Sequence, residues 1–135
     1  AQAQLQALLE ASNFDDTVQI MPSIPAEKIP HLYQGCTALF HPAPISPWGG
    51  AVRRALACGK PVVAAESPLA SALVGPAAYL ASADDLRALG AALTTVVVEE
   101  EVAENLSEAA RKQAAGWEME GFGERLVEVY VGIGE

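Results

Sequence analysis

The segment His41–Val63, HPAPISPWGGAVRRALACGKPVV, gathers most of the side chains in this sequence that could hold a ligand. Gly49 and Gly50 are adjacent, Arg53 and Arg54 follow within a turn, and Gly59-Lys60 closes a run of small residues. Paired glycines before a helix let the backbone come close to a bound group. The first helical turn then offers unpaired N–H groups and about half a positive charge. That chemistry suits a phosphate or a sugar phosphate, and the same residues also suit a tight turn with no ligand. Gly59-Lys60 is not a P-loop. The pattern G-x-x-x-x-G-K-[ST] needs glycine where Arg54 stands and Ser or Thr where Pro61 stands. A dinucleotide fingerprint, G-x-G-x-x-G after a strand, is absent as well.

The two arginines fall in the first half of the expected helix, where a cation opposes the helix dipole. Either one of them meets an anionic ligand or a carboxylate, or both are solvent-facing arginines on a helix surface. Adjacent positions point in different directions, so at least one faces solvent. His41 ends an apolar run and either lines a cleft or packs with a hydrogen bond. Lys60 suits the C-terminal end of the helix dipole, and His31 the exposed side of a short helix. No spacing fits a Ser/His/Asp or Cys/His arrangement or a metal site, so no catalytic residue and no metal ligand is assigned.

These residues must be positioned by the elements around them. Residues 2–12 read as the end of a helix, with Leu5, Leu8 and Leu9 on one face. Thr17–Met21 reads as a short strand, Pro25–Gly35 as a short helix, and Cys36–His41 as an apolar strand covered on both faces. Residues 49–58 form the next helix, with Gly59 as its stop. Pro61–Ala65 is a buried strand, residues 66–75 a turn and helix, and Ala77–Ala81 a weak strand. Helical patterns follow over Asp84 to about Val97, Glu99–Ala115 and Phe122–Tyr130, with Ser82 and Asp84 as candidate N-caps. Strands alternating with helices predict an α/β fold, a Rossmann-like open parallel sheet with helices on both faces. The expected organisation is a single partial domain over 1–135, with C-terminal helices at about 84–132. Four strands and a helical start fall short of a full doubly wound sheet, so the N-terminal βαβ part is expected to be missing.

Composition narrows the function classes. The chain has 135 residues, 51% hydrophobic and 19% charged, which argues against disorder. Eight basic residues against 17 acidic ones give a net charge of −9, so nucleic acid is an unsuitable partner. There is no apolar run of about 18 residues or more and no signal peptide. Cys36 and Cys58 read as two buried thiols in a reducing compartment, the cytoplasm.

The ordered set VQIMPSIPAEKIPHLYQGCTALFHPAPISPWGGAVRRALACGKPVVAAESP resembles the C-terminal domain of GT-B glycosyltransferases of family 4, the retaining group 1 set. Ile29-Pro30-His31-Leu32-Tyr33 is similar to the family's LP.LY, and Ser46-Pro47-Trp48-Gly49 stands where EGFG belongs. Arg54-Ala55-Leu56-Ala57-Cys58-Gly59 stands at EAMACG, Pro61–Ala64 at PVVA, and Gly75–Leu80 at G.AA.L. The terminal FGERLVEVY looks like the family's last helix. The resemblance covers nearly the whole chain.

It implies a site for a nucleotide-diphosphate sugar as substrate, with no cofactor. Carried over by position, Ser46, Trp48, Gly49 and Gly50 hold the donor sugar and phosphate. Arg54 lies on the ribose or phosphate side, and Ser23 and Ile24 on the base side. Both glutamates of the family's E-x7-E pair are replaced, by Ser46 and Arg54, and Pro22 stands where a glycine approaches the base. Arginine only donates hydrogen bonds, so Arg54 suits phosphate or a carboxylate partner rather than ribose hydroxyls. The alternative is a degenerate, non-catalytic GT-B domain that binds or scaffolds. The resemblance further implies an acceptor-binding N-terminal domain outside this chain. A hexosyltransferase-like intact protein is expected in the cytoplasm, with the inner face of the membrane as a further site of action. A sheet lacking its first strands exposes edge and apolar surface, so self-association of the chain is expected.

Overall fold

The computed structural model describes residues 2–14 and 16–119. The helix expected at Phe122–Tyr130, the last part of the 84–132 helical region, and Asp15 lie outside the described residues. The chain divides into two compact units, Ala1–His31 and Leu32–Glu135.

In the first unit, α1 spans Gln2–Ala11. It ends in a Schellman turn: Asn13 takes φ 61°, its N–H bonds Glu10 O, and Phe14 N–H bonds Leu9 O. Asn replaces the usual glycine because its short polar side chain tolerates the left-handed region. The strand predicted at Thr17–Met21 does not form. Its first two N–H groups, of Thr17 and Val18, turn back to Phe14 O, as does the Thr17 hydroxyl. No strand pairs with the rest among the described residues. Ser23 is exposed and Ile24 half-buried in irregular backbone before Pro25, which caps a 3-10 turn at Ala26–Lys28. The predicted helix at Pro25–Gly35 thus splits into that turn and α2, Ile29–Gly35.

The second unit is built on three parallel strands, β1 (Leu39–His41), β2 (Val62–Ala65) and β3 (Ala78–Ala81), in the order β1-β2-β3. Between them run α3 (Gly50–Ala57) and α4 (Pro68–Val74), and α5 (Leu86–Val98) and α6 (Glu100–Met119) follow. The register sets Leu39, Phe40 and His41 opposite Val62, Val63 and Ala64, and Val62–Ala65 opposite Ala78–Ala81. The fold class expected from the sequence is therefore present: α/β, with an open parallel sheet flanked by helices.

β2 is the axis of packing. Its side chains alternate between two cores. Val62 and Ala64 join Val52, Ala55, Leu56, Ala70, Val74 and Ala110 from α3, α4 and α6. Val63 joins Leu89, Ala92 and Val96 from α5. Both faces are thus covered, and all four residues of β2 are buried, as a strand without a solvent face requires. Burying a valine side chain contributes about 1.5–3 kcal/mol.

Helix ends follow local rules. α3 closes on a second Schellman turn, with Gly59 at φ 67°, its N–H on Leu56 O and Lys60 N–H on Ala55 O. Arg111 of α6 lies over that glycine, its Nε 2.9 Å from where a Cβ would be. Ser67 caps α4 by accepting from Ala70 N–H at 3.0 Å. Asp85, not Asp84 or Ser82, caps α5 by accepting from Ala88 N–H at 2.9 Å; Ser82 Oγ accepts from Asp84 N–H at 3.4 Å in a preceding turn. On α6, Lys112 hydrogen-bonds Glu108 at 3.0 Å, and that bond and charge hold the Glu108 carboxyl below the usual carboxylate range. Both groups are exposed, so the pair adds little to stability. The thiols are not both buried: Cys36 is half-buried and donates to Tyr33 O, while Cys58 is exposed at the end of α3. No helix among the described residues is long and apolar enough to cross a membrane.

Two substitutions test this account by urea denaturation. Leu56→Ala, which empties a fully buried site, is expected to cost about 2–5 kcal/mol. Gly59→Ala is expected to cost about 1–2 kcal/mol, the penalty of a Cβ in the left-handed region. A loss below about 0.5 kcal/mol at either position would contradict the packing described.

Candidate functional site

β1 delivers the chain at its carboxyl end, at His41, into the loop that leads to α3. Ligands of open α/β sheets bind along this edge. The loop closes with a turn in which Gly49 N–H donates to Ser46 O at 2.9 Å, with Pro47 at its second position. Gly49 then takes φ 82° and Gly50 φ 43°. A Cβ on Gly49 would lie 2.9 Å from both Arg53 Cβ and Leu73 Cδ2. Glycine is therefore required twice over, by backbone conformation and by the neighbouring side chains.

The first hydrogen bond of the helix runs from Arg53 N–H to Gly49 O at 3.1 Å. The N–H groups of Gly50, Ala51 and Val52 precede it and have no intrahelical acceptor. Ser46 Oγ lies 3.3 Å from where a Gly50 Cβ would be, so the loop hydroxyl sits beside the open backbone of the first turn. Ser46 Oγ has no hydrogen-bond partner among the described residues, and Trp48, between Ser46 and the glycines, is 63% exposed.

The arginines separate. Val52, Ala55 and Leu56 form the buried face of α3. Arg53 lies on its flank, with its guanidinium carbon 4.8 Å from the centroid of the Trp117 ring of α6, a cation–π contact. Arg54 is exposed on the opposite face, four residues after Gly50 and therefore above it. Helix side chains lean toward the N-terminus, so Arg54 leans toward the glycine turn. Ser46, Gly50 and Arg54 thus follow one another along the exposed side of the loop and helix. The eight-residue spacing of the E-x7-E positions corresponds to four residues of turn and one turn of helix. The helix spans only Gly50–Ala57, so Arg54 belongs to its last turn, where a cation is favoured. The expected conflict with the dipole does not arise there.

Two further side chains stand at the same edge. His41 Nδ1 lies 3.0 Å from Ala43 O. A carbonyl only accepts, so Nδ1 carries the proton and Nε2 of the neutral ring is an acceptor. Glu66 follows β2, is exposed, and has its N–H bonded to Ala81 O at 2.8 Å. The sequence reading passes over Glu66. Its signal is positional, the first polar residue at the carboxyl end of a fully buried strand. Ser23 and Ile24 belong to the first unit, the other expected site residues to the second. Among the described residues no three His, Cys, Asp or Glu side chains gather as a metal site. A groove of about 340 Å³ lined by Pro76, Asn105, Glu108 and Lys112 lies at the amino end of β3, the opposite edge from the glycine turn.

The family model described as "Glycosyl transferases group 1" matches residues 1–113. Among solved structures, the chain is similar to sucrose-phosphate synthase from Thermosynechococcus elongatus, with a TM-score of 0.77 and 22% identity. That match covers 96% of this chain and 34% of the other, so the chain spans about a third of that protein's length. At this identity the likeness shows the fold, a Rossmann-like domain of the GT-B type. No curated protein matches the chain.

Gly49→Ala is expected to lower stability by about 1–3 kcal/mol, from backbone strain plus overpacking against Arg53 and Leu73. Gly35→Ala meets nothing within 4 Å and is expected to change stability by under about 0.5 kcal/mol. Equal thermal shifts for the two variants would contradict the crowding at Gly49.

Proposed function

The chain belongs to the glycosyl transferases group 1 family, and from that premise we propose that it is the donor-binding part of a retaining glycosyltransferase of family 4. The substrate is a nucleotide-diphosphate sugar. Support for this reading comes from one juxtaposition: the glycine turn, the open first turn of α3 and Arg54 lie along one face at the carboxyl edge of the sheet, within the matched residues.

In this reading the N–H groups of Gly50 and Ala51 and the positive end of α3 bind the diphosphate. Transfer of the sugar leaves negative charge on that diphosphate, and fixed donors aimed at it stabilise the charge without reorganising. Arg54 adds a permanent cation and a fork of N–H donors suited to phosphate oxygens. Arg54 thereby takes over a position where the family's glutamate would accept from ribose hydroxyls. Ser46 Oγ bonds a sugar hydroxyl in place of the other glutamate, and Trp48 covers the donor from the loop side. Metal is not required by this scheme, since the helix end and Arg54 supply positive charge.

Transfer also needs an acceptor-binding domain, which we place outside this chain, so the chain alone is inactive. The two free cysteines favour a reducing compartment, and the cytoplasm is the proposed location. β1 is an edge strand with Phe40 39% exposed, and self-association through that edge is proposed. Light scattering that finds only monomer would remove that last proposal.

Calorimetric titration of the full-length protein with UDP, GDP and ADP tests the donor site, and at least one is expected to bind. Arg54→Ala is expected to weaken that binding about tenfold, the value of one charge-assisted contact. Failure of all three nucleotides to bind would overturn the reading. The double variant Ser46→Glu, Arg54→Glu restores the E-x7-E pair. Sugar transfer gained only by that variant would identify the natural protein as non-catalytic.

A further inference from the structure

The glycine turn and Arg54 present donors, which suits phosphate. A sugar also carries hydroxyls that must donate, and among the side chains of the loop at 42–48 only Ser46 Oγ accepts them. The carboxyl edge of the sheet holds two stronger acceptors. Leu39 packs into the core under α3 and α4, as do Val62 and Ala64. Side chains alternate along a strand, so His41, two residues after Leu39, takes the same face. Glu66 stands two residues after Ala64. Its N–H continues the ladder to β3, so the alternation carries it to that face too.

The register places His41 opposite Ala64. Glu66 is then one strand across and two residues on, about 8 Å away between Cα atoms from the standard spacings. The two side chains form no ion pair, and the Glu66 carboxylate has no partner among the described residues. His41 Nδ1–H is held by Ala43 O, which leaves Nε2 as a free acceptor. α3 begins on this face at Gly50. α4 begins there as well, two residues beyond Glu66, and the start of its dipole favours a carboxylate.

We infer that His41 Nε2 and the Glu66 carboxylate form an acceptor pair that takes hydroxyl hydrogens of the donor's sugar. The inference rests on the donor-site reading above and deepens it. Phosphate cannot serve this pair, because a carboxylate and a lone pair repel it. The substrate class that fits is a neutral hydroxyl-rich sugar. A uronic acid fits poorly, since its carboxylate would meet Glu66 with like charge.

The test uses the full-length protein, with UDP, GDP and ADP and the glucose conjugate of each, by calorimetry. Glu66→Gln keeps the shape of the side chain and removes its charge. It is expected to weaken the bound glucose conjugate about tenfold and to leave the free nucleotide within about twofold. His41→Asn keeps a donor for Ala43 O and removes Nε2, and the same split is expected. UDP-glucuronate is expected to gain on UDP-glucose in Glu66→Gln. Unchanged thermal unfolding midpoints would show that both variants fold. If conjugate and nucleotide weaken equally, or neither changes, the acceptor pair is overturned while the donor site stands. If no nucleotide binds the natural protein, the donor-site reading fails and the pair with it.

Discussion

A strand of four residues, buried on both sides, governs this fold. β2 has no solvent face, so helices must lie against it from above and below. Val62 and Ala64 require α3 and α4, and Val63 requires α5. Once these helices are seated, the carboxyl edge of the sheet is set. β1 must deliver its loop there, α3 must begin there, and Glu66 must emerge there. The chemistry at that edge follows from hydrophobic burial beneath it, which is non-directional but here constrained by a two-residue alternation.

Within that frame α3 is bracketed by glycines in the left-handed region, Gly49 before it and Gly59 after it. At Gly49 the backbone is turned so that the first N–H groups face outward and the helix can pack against Leu73. At Gly59 it is turned so that the chain drops at once into β2. Eight residues lie between, little more than two turns, and they carry a buried face, a flank against α6 and an exposed face. The exposed face alone is left for a ligand, and it carries Gly50 and Arg54.

Much of this was legible in the residues. PVVAA reads as a doubly covered strand because its apolar run is unbroken. Gly59 reads as a stop because a glycine followed by Lys-Pro cannot extend a helix. The Gly-Gly turn reads as a close approach for the same conformational reason. Other features depend on partners distant in sequence. The strand expected at Thr17–Met21 has suitable residues, yet its first N–H groups are claimed by Phe14 O and no neighbour among the described residues supplies a ladder. The roles of Arg53 and Arg54 cannot be separated by spacing, since the deciding group is Trp117 on α6. Asp85 outcompetes Asp84 as the α5 cap by one residue, a boundary that propensity does not resolve.

α6 touches the other helices at places where side chains are missing. Arg111 fills the space beside Gly59, Gln113 fills the space beside Gly75, and Gln113 Nε2 also donates to Leu73 O at 2.9 Å. The long polar side chains of one helix thus replace the absent Cβ atoms of two loops. The glycines are held in place by more than backbone angles. A side chain at position 59 would have to displace the outer part of Arg111, and one at 75 the amide of Gln113, in addition to the backbone strain at both glycines. Positions far apart along the chain, 59 with 111 and 75 with 113, are thereby coupled, so that the turns closing two helices are held from outside by a third.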